Sequence, residues 1–241
     1  MTSRTQSQLD ETVAEIEAAG GKAIGLQQDV TVQADWDRVV AETEARLGPI
    51  TLLVSNAALS DPAGPVYEAD PDVWGRTLDV NVMGTLRGSR AVLPGMVERG
   101  AGRIIVINSG AALAAGKYTS PYRVSKTALL RLAEIMALEV QEHGVSVFSI
   151  HPGVISSTIH HSATMTEAGR KWVPQFAEMA ARGASDPKLC ADCCVFLASG
   201  AADAMTGRYL SATEDYRALA AEADAIVRDD AQVLRLSKVK E

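Results

Sequence analysis

A tyrosine and a lysine four residues apart are the residues of this sequence whose types and spacing best suit proton transfer. In the segment SPYRVSKTALL, Tyr122 precedes Lys126 by one turn of a predicted helix. A free phenol has a pKa of about 10, too high for a base near neutral pH, whereas a nearby ammonium group favours the phenolate. We therefore expect Lys126 to lower the pKa of Tyr122. The alternative is a chance spacing on an amphipathic helix.

A serine hydroxyl stands within reach of the same chemistry. Ser109 ends the apolar run RIIVINS, 13 residues before Tyr122, and the loop GAALAAGKYTSP lies between them. That loop is long enough to bring both hydroxyl groups to one substrate oxygen. Ser109 could then donate a hydrogen bond to the oxygen as charge develops on it. Its structural alternative is to cap a turn.

Short apolar runs typical of buried strands alternate with longer segments of helical periodicity. The predicted strands are Ala23–Asp29, Thr51–Ser55, Arg103–Ser109, Val145–His151 and Arg208–Ser211. The predicted helices are Ser7–Ala19, Ala34–Leu47, Pro71–Arg99, Pro121–His143 and Asp186–Ser199. This alternation indicates an α/β fold, a Rossmann-like doubly wound parallel sheet with helices on both faces. Ligands of such sheets bind beyond the carboxyl ends of the strands.

The chain is expected to form a single Rossmann-like domain over residues 1–241, because no linker or internal repeat interrupts it. Residues 156–183 break the alternation and are rich in Ser, Thr, Met and His. We interpret them as a possible substrate lid after the fifth strand. Residues 212–241 are expected to form a helical C-terminal tail.

Composition limits the partners and the location of the protein. The net charge of −7 argues against nucleic acid as a partner, because phosphate binding needs a basic face. The longest apolar runs have the length of strands and fall short of the ~20 residues of a membrane span. The N-terminal segment MTSRTQSQLDET is polar and resembles no secretory signal. We therefore expect a cytoplasmic protein without membrane partners.

Three cysteines lie together in CADCCVFLAS, at positions 190, 193 and 194. Their spacing permits a metal half-site or a redox pair, but zinc needs four ligands and the four histidines offer no partner motif. We interpret the cysteines as small residues of a helix packed on the core, in a reducing compartment. No metal is expected.

With these motifs the sequence resembles the short-chain dehydrogenase/reductase family over about residues 1–211. The spacing of Ser109, Tyr122 and Lys126 is that of the family's active site. Further segments follow in the family's order: QQDVT, SNAA, DVNVMG, HPGV and DCCVFLASGAADAMTGRYL. Their joint occurrence is more specific than the pair of Tyr122 and Lys126 alone.

The resemblance implies a hydride transfer between a nicotinamide and a substrate carbon. Tyr122 would be the acid/base, Ser109 would bind the substrate oxygen, and Asn81 would hold a water that links Lys126 to solvent. Lys126 would also hold the ribose hydroxyls of the coenzyme. The implied cofactor-binding residues are Asp29, Val30, Asn56, Ala57, Tyr122, Lys126, Pro152, Gly153, Ile155 and Ser157. Structural alternatives remain open, among them a cap made by Asp29 and backbone bonds made by Asn56 or Asn81.

Arg4 bears on the choice of coenzyme. The start of this chain resembles the end of the family's second strand. In dinucleotide folds an acid at that strand end holds a ribose 2′-hydroxyl, whereas an arginine accommodates a 2′-phosphate. The segment SRT offers an arginine and no acid at that place. NADP is therefore expected over NAD; the alternative is a solvated surface arginine.

The family's first strand and its glycine-rich turn have no counterpart here, since no such turn precedes Gly20. We therefore expect an N-terminally truncated fold with weakened dinucleotide binding, because glycines allow close approach to a pyrophosphate. In one account the natural polypeptide has an upstream segment of about 35 residues. In the other the chain is whole, Ala23–Asp29 pairs directly with Thr51–Ser55, and activity is weak or absent.

Taken together, the sequence predicts an NAD(P)-dependent oxidoreductase that interconverts a carbonyl and an alcohol. The alternative is a truncated, non-catalytic relative that acts as a binding or oligomer partner. The resemblance also implies a homodimer or homotetramer built on two long helices. The substrate and the physiological direction cannot be read from the residues.

Overall fold

The computed structural model describes residues 1–155, 166–176 and 183–236. Its strands are β1 (Thr2–Ser3), β2 (Leu26–Gln27), β3 (Leu52–Ser55), β4 (Gly102–Ile107), β5 (Val145–His151) and β6 (Tyr209–Ser211). Its helices are α1 (Gln6–Ala18), α2 (Gln33–Leu47), α3 (Pro71–Leu78), α4 (Gly84–Arg99), α5 (Ser120–Val140), α6 (Glu167–Trp172), α7 (Pro187–Ala198), α8 (Tyr216–Ala221) and α9 (Ala223–Arg228).

The centre of the molecule is a four-stranded parallel sheet in the order β3-β4-β5-β6. Its two middle strands are nearly continuous apolar runs because both of their faces are covered. On one face Ile105 and Phe148 pack with α7, α8 and α9. On the other face Ile104 and Val147 pack with α4 and α5. The α/β fold with helices on both faces of a parallel sheet is as predicted.

The first two strands form a separate parallel sheet rather than joining the central one. The expected pairing of residues 23–29 with residues 51–55 is wrong: Thr2 pairs with Leu26 and Ser3 with Gln27. The first residues of the chain are extended and supply the partner, since Met1 O accepts from Leu26 N at 3.0 Å. The resemblance implies that the first residues are the end of a family strand, but a two-residue polar strand carries no apolar pattern, so its pairing with β2 was not predicted.

The strand order leaves β3 as an edge of the central sheet. The carbonyl of Thr51 accepts from Arg103 N at 2.9 Å and so faces β4. Because backbone groups alternate in direction along a strand, those of Leu52 and Val54 face away from β4. Val54 is also 41% exposed. The space beyond this edge is open to a ligand or to water.

Several predicted boundaries differ from those observed. The predicted helix Pro71–Arg99 is two helices, α3 and α4, separated by a π-helical turn at Asp79–Met83. The predicted strand Ala23–Asp29 is reduced to β2, and the tail contains α8 and α9. Of the proposed lid, residues 166–176 are described and include α6. Within the described ranges, no helix has both the length and the apolar character needed to cross a bilayer.

Candidate active site

A cleft of about 1400 Å³ opens at the carboxyl ends of β3, β4 and β5 and reaches across to β1. Its position is the one expected of a ligand site in an open parallel sheet. The walls include residues 1–4, 28–31, 52–61, 107–111 and 151–155, with Tyr122, Arg123 and Lys126 of α5. The cleft therefore gathers most of the residues that the sequence singled out.

Ser109 and Tyr122 meet in this cleft. The serine follows the end of β4 and caps the short 3-10 turn Gly110–Ala112, its Oγ accepting from Ala111 N at 3.1 Å. Its side chain also lies near the Tyr122 phenol and favours the ionised form, an effect that acts to lower the pKa of that phenol. The tyrosine lies in the first turn of α5, directly after Pro121, a residue well suited to a helix start. The structure thus brings together the two hydroxyl groups, and Ser109 is also the turn cap considered as its alternative.

Lys126 lies one turn further along α5 and is almost completely buried, at 2% exposure. Its Nζ donates to Ile107 O at 2.8 Å and lies 5.6 Å from the centroid of the Tyr122 ring. Burial lowers the pKa of Lys126 to about 8, because desolvation disfavours the charged form. The ammonium group is therefore held at the end of β4, between the sheet and the phenol.

The pKa of Tyr122 is raised rather than lowered. Burial is the dominant cause, since a desolvated phenol resists ionisation. The nearby Ser109 hydroxyl opposes this rise in pKa, and so does the positive charge of Arg123. The expectation that Lys126 sets a lowered pKa for the phenol does not hold in this structure.

Arg123 is a cleft residue that the sequence analysis overlooked. Its Nε donates to Thr119 Oγ1 at 3.0 Å and its Nη1 to Ala114 O at 2.7 Å. These bonds tie α5 to the loop that separates Ser109 from Tyr122. An arginine directly after the tyrosine was a weak signal, because adjacent side chains on a helix do not face each other.

Asn81 is fully buried in the π-helical turn, and its side-chain hydrogen bonds go to Leu59 and Ser125 rather than to Lys126. Its Oδ1 accepts from Leu59 N at 2.7 Å, and its Nδ2 donates to Leu59 O and to Ser125 Oγ. The side chain therefore pins the loop after β3 to α5. The backbone bonding considered as its alternative is what the structure shows.

His151 is a second residue that the motifs did not single out as functional. It ends β5, and its Nδ1 accepts from Gly110 N at 3.3 Å, which requires the neutral imidazole. Burial lowers its pKa, and the charge of Glu214 opposes this effect. The ring thus supports the turn that carries Ser109.

The residues predicted to bind the coenzyme divide between the two sides of the cleft. Asn56, Ala57, Pro152, Gly153 and Ile155 line it at the ends of β3 and β5, beside Tyr122 and Lys126. Asp29, Val30 and Arg4 line the opposite side, next to the two-stranded sheet. Ser157 lies outside the described residues.

A smaller cavity of about 360 Å³ adjoins that second side. Arg4 borders it, and Arg38 of α2, which the sequence analysis did not consider, faces it as well. Asp29 makes a local cap, its Oδ1 accepting from the N–H and the hydroxyl of Thr31. The two Thr31 donors hold the pKa of Asp29 below its ordinary value, and the charge of Arg4 adds to this effect.

The cleft residues fit a nicotinamide dinucleotide at both ends. Near Tyr122, Lys126 has three N–H donors, and the structure shows one bond, to Ile107 O. At the far side Arg4 lines the cleft together with Asp29 and Val30. Between these ends the lining includes Gly84, Gly110 and Gly153.

The cysteines occupy two environments on α7. Cys193 is completely buried in the core, as expected, whereas Cys190 and Cys194 line the cleft and are half-buried. In the part of the chain that the structure describes, no three His, Cys, Asp or Glu side chains cluster in a way that could hold a metal ion.

The fold is that of an α/β oxidoreductase with Ser109, Tyr122 and Lys126 in one cleft, and comparison with known proteins shows the family. The family model described as short chain dehydrogenase matches residues 1–168. The chain is 32% identical over 207 residues to the Homo sapiens dehydrogenase/reductase SDR family member 4, covering 86% of this chain and 74% of that protein. It is 31% identical over 212 residues to an uncharacterized NAD-dependent oxidoreductase of Mycobacterium tuberculosis, covering 86% and 77%.

A solved structure shares the fold over most of the chain. A gluconate 5-dehydrogenase from Burkholderia cenocepacia, in complex with NADP and tartrate, superposes with a TM-score of 0.75 at 25% identity, covering 88% of this chain and 82% of that one. The chain belongs to the short-chain dehydrogenase/reductase family.

Proposed function

We propose that this protein is an NAD(P)-dependent oxidoreductase that interconverts a carbonyl and an alcohol on a small molecule. The observation that carries the proposal is that Ser109, Tyr122 and the buried Lys126 line one cleft, with Lys126 Nζ 5.6 Å from the centroid of the Tyr122 ring. A hydroxyl pair beside a cation provides a proton donor and a hydrogen-bond donor for a single substrate oxygen.

In this proposal Tyr122 moves the proton. Its raised pKa keeps the phenol neutral near pH 7, and the neutral phenol is the form that protonates a substrate oxygen as a carbonyl is reduced. Ser109 donates a second hydrogen bond to that oxygen, which stabilises the charge that develops there. The charge of Arg123 favours the anion that is left on Tyr122 after the transfer.

A nicotinamide coenzyme bound in the cleft would supply or accept the hydride. Lys126 would hold its ribose hydroxyls with the N–H donors that Ile107 O does not use. Asn56, Ala57 and residues 152–155 would face the nicotinamide half, while Asp29 and Val30 would face the adenine half. All of these residues line the cleft.

NADP(H) is proposed as the preferred coenzyme because Arg4 borders both cavities at the adenine side. A guanidinium there can pair with a 2′-phosphate, and Arg38 adds a second cation at the same small cavity. We expect Arg4→Gln to weaken NADPH binding about tenfold, with NADH nearly unaffected. Equal binding of NADPH and NADH by the unaltered protein would contradict the preference.

The test of the proposed function is Tyr122→Phe. It removes the phenolic hydroxyl alone, so turnover of NADPH with a panel of ketones should fall at least 100-fold, as expected for loss of a general acid. Thermal unfolding should change little. Tyr67→Phe is the matched control, because Tyr67 is 84% exposed and outside the cleft. Substantial turnover by Tyr122→Phe would refute the assignment.

A non-catalytic binding role is not favoured, because the residues needed for catalysis line one cleft together. Measuring NADPH fluorescence together with turnover distinguishes the enzyme from a non-catalytic binding protein. Binding without turnover of any ketone or alcohol would support the non-catalytic role.

We also propose a homodimer or homotetramer. α5 exposes apolar side chains to solvent: Val124 is 46% exposed, Ile135 43% and Leu138 64%. Burial of such residues against a second copy would release apolar surface from water. Light scattering should show an oligomer that Leu138→Glu dissociates, whereas a monomeric unaltered protein would contradict the proposal.

A further inference from the structure

His151 carries a hydrogen-bond donor that the described part of the fold leaves unused. The residue ends β5, and its Nδ1 accepts from Gly110 N at 3.3 Å. A neutral imidazole that accepts at one nitrogen carries its proton on the other, so Nε2 is the donor. Burial lowers the pKa of His151 and so favours this neutral ring. Nε2 itself makes no hydrogen bond to the described residues.

This donor can be reached from the cleft. Among the described residues, the buried polar side-chain atoms without a partner belong to Gln28 and Arg208. The unpartnered Nε2 of His151 is not one of them, and it is therefore accessible. His151 lines the same cleft as Ser109 and Tyr122. The free N–H group is thus available to a molecule bound beside the two hydroxyl groups.

The space over Gly110 is open, and Nε2 borders it. Beyond its chain neighbours, a Cβ built on Gly110 would meet one atom of the described residues within 4 Å, namely His151 Nε2 at 3.9 Å. Gly110 directly follows Ser109, and consecutive Cα atoms are about 3.8 Å apart. The unused donor therefore lies next to the place where Ser109 is proposed to bind the reacting oxygen.

We propose that His151 determines substrate specificity, its Nε2–H donating to a second substrate oxygen on the carbon next to the reacting carbonyl. The inference rests on the proposed function, since it deepens the same site. Ser109 and Tyr122 would hold the reacting oxygen, and the imidazole would hold the oxygen beside it. The partner must be an acceptor, such as an ether, hydroxyl or carbonyl oxygen. A methylene group at that place would leave the donor without a partner.

Two substitutions separate the nitrogens of the ring. His151→Asn places an amide oxygen near the position of Nδ1, so it can still accept from Gly110 N, but it is too short to replace Nε2. His151→Gln is longer and can bring an amide N–H close to the position of Nε2. His143→Asn is the matched control, because His143 is an exposed residue of the turn Gln141–His143 and lies outside the cleft.

The experiment measures kcat/KM with NADPH for pairs of ketones in which an ether oxygen replaces one methylene group, methoxyacetone against 2-pentanone being the smallest pair. The ratio of ether to methylene substrate should fall about three- to tenfold in His151→Asn, the value of one neutral hydrogen bond. His151→Gln should recover part of the ratio, and His143→Asn should keep it. An unchanged ratio in His151→Asn, or an equal loss in His151→Asn and His151→Gln, would overturn the inference.

A second measurement does not depend on turnover. Nitrogen NMR of protein labelled in its histidines should show, near neutral pH, one imidazole that is protonated at Nε2 and not at Nδ1, and His151→Asn should remove that signal. The opposite tautomer would overturn the inference. Turnover of none of these ketones or of the wider panel would overturn the proposed function, whereas turnover without a change of ratio would overturn the role of His151 alone.

Discussion

Opposing effects act on the pKa of the Tyr122 phenol. Burial favours its neutral form, while the nearby Ser109 hydroxyl and the charge of Arg123 favour its anion. The balance in this structure favours the neutral form. Small changes in these contacts should therefore move the pH at which the phenol can accept a proton, and the effect is measurable in the direction of alcohol oxidation.

Arg123→Met should shift the pH profile of alcohol oxidation to higher pH, because it removes the cation that favours the phenolate. It also removes the bonds to Thr119 and Ala114, so kcat should fall about tenfold as the Ser109 loop loosens. Arg123→Lys keeps the charge but not the planar fork. This control should retain the unaltered pH profile with a reduced kcat. An unshifted profile in Arg123→Met would contradict the electrostatic role.

His151 should make the stability of the protein depend on pH. Its pKa is lowered in the folded state, so the unfolded chain binds more protons as the pH falls below about 6.5. Stability is then fully present above about pH 6.5 and is lost as the pH falls toward the folded-state pKa. Protonation also breaks the bond from Gly110 N.

Thermal unfolding at pH 7.5, 6.5 and 5.5 tests this expectation. His151→Asn retains a hydrogen-bond acceptor that does not titrate, so it should lose less stability than the unaltered protein between pH 6.5 and 5.5. A variant with the same loss across that window would show that other groups are responsible.

At the residue scale, the sequence predicted which side chains meet but not their state of charge. The spacing of Ser109, Tyr122 and Lys126 was sufficient for the first point, since a strand end and a helix start fix where those side chains lie. The pKa of Tyr122 depends on how completely the loops around the cleft exclude water. That property arises from long-range packing, which a spacing does not contain.

At the element scale, the sequence predicted a helix but not the turn that interrupts it. The apolar periodicity of residues 71–99 predicted one helix, but the π-helical turn at Asp79–Met83 divides it. A single inserted residue per turn leaves no mark in the hydrophobic pattern. Such turns are frequent at functional sites, and this one carries the buried Asn81 beside the loop after β3.

Asn81→Leu should therefore destabilise the protein by roughly 2–4 kcal/mol, because the backbone N–H and C=O of Leu59 would lose their partners. Urea unfolding measures the change. Asn56→Leu is the matched control, since Asn56 is exposed and its replacement should cost less than about 0.5 kcal/mol. Equal effects of the two substitutions would show that the Leu59 bonds contribute little.

At the scale of the whole molecule, the parallel sheet was predicted but its division in two was not. The central four strands are buried on both faces, so their apolar runs can be recognised in the sequence. β1 and β2 together contain four residues, and their pairing depends on where the extended N-terminal residues lie in space. The two sheets face each other across the cleft that the proposed coenzyme would span.

Hydrogen exchange should show these two sheets opening independently. Two short strands are marginally stable alone, so the amides of Leu26 and Gln28, bonded to Met1 O and Ser3 O, should exchange faster than those of β4 and β5. NADPH contacts both sides of the cleft in the proposed complex and should slow exchange at Leu26 and Gln28, because a ligand stabilises the state that it binds. Nicotinamide mononucleotide is the control ligand, since it lacks the adenine half and should protect only the side near Lys126. Equal protection of Leu26 and Gln28 by both ligands would mean that the adenine half does not join the two sheets.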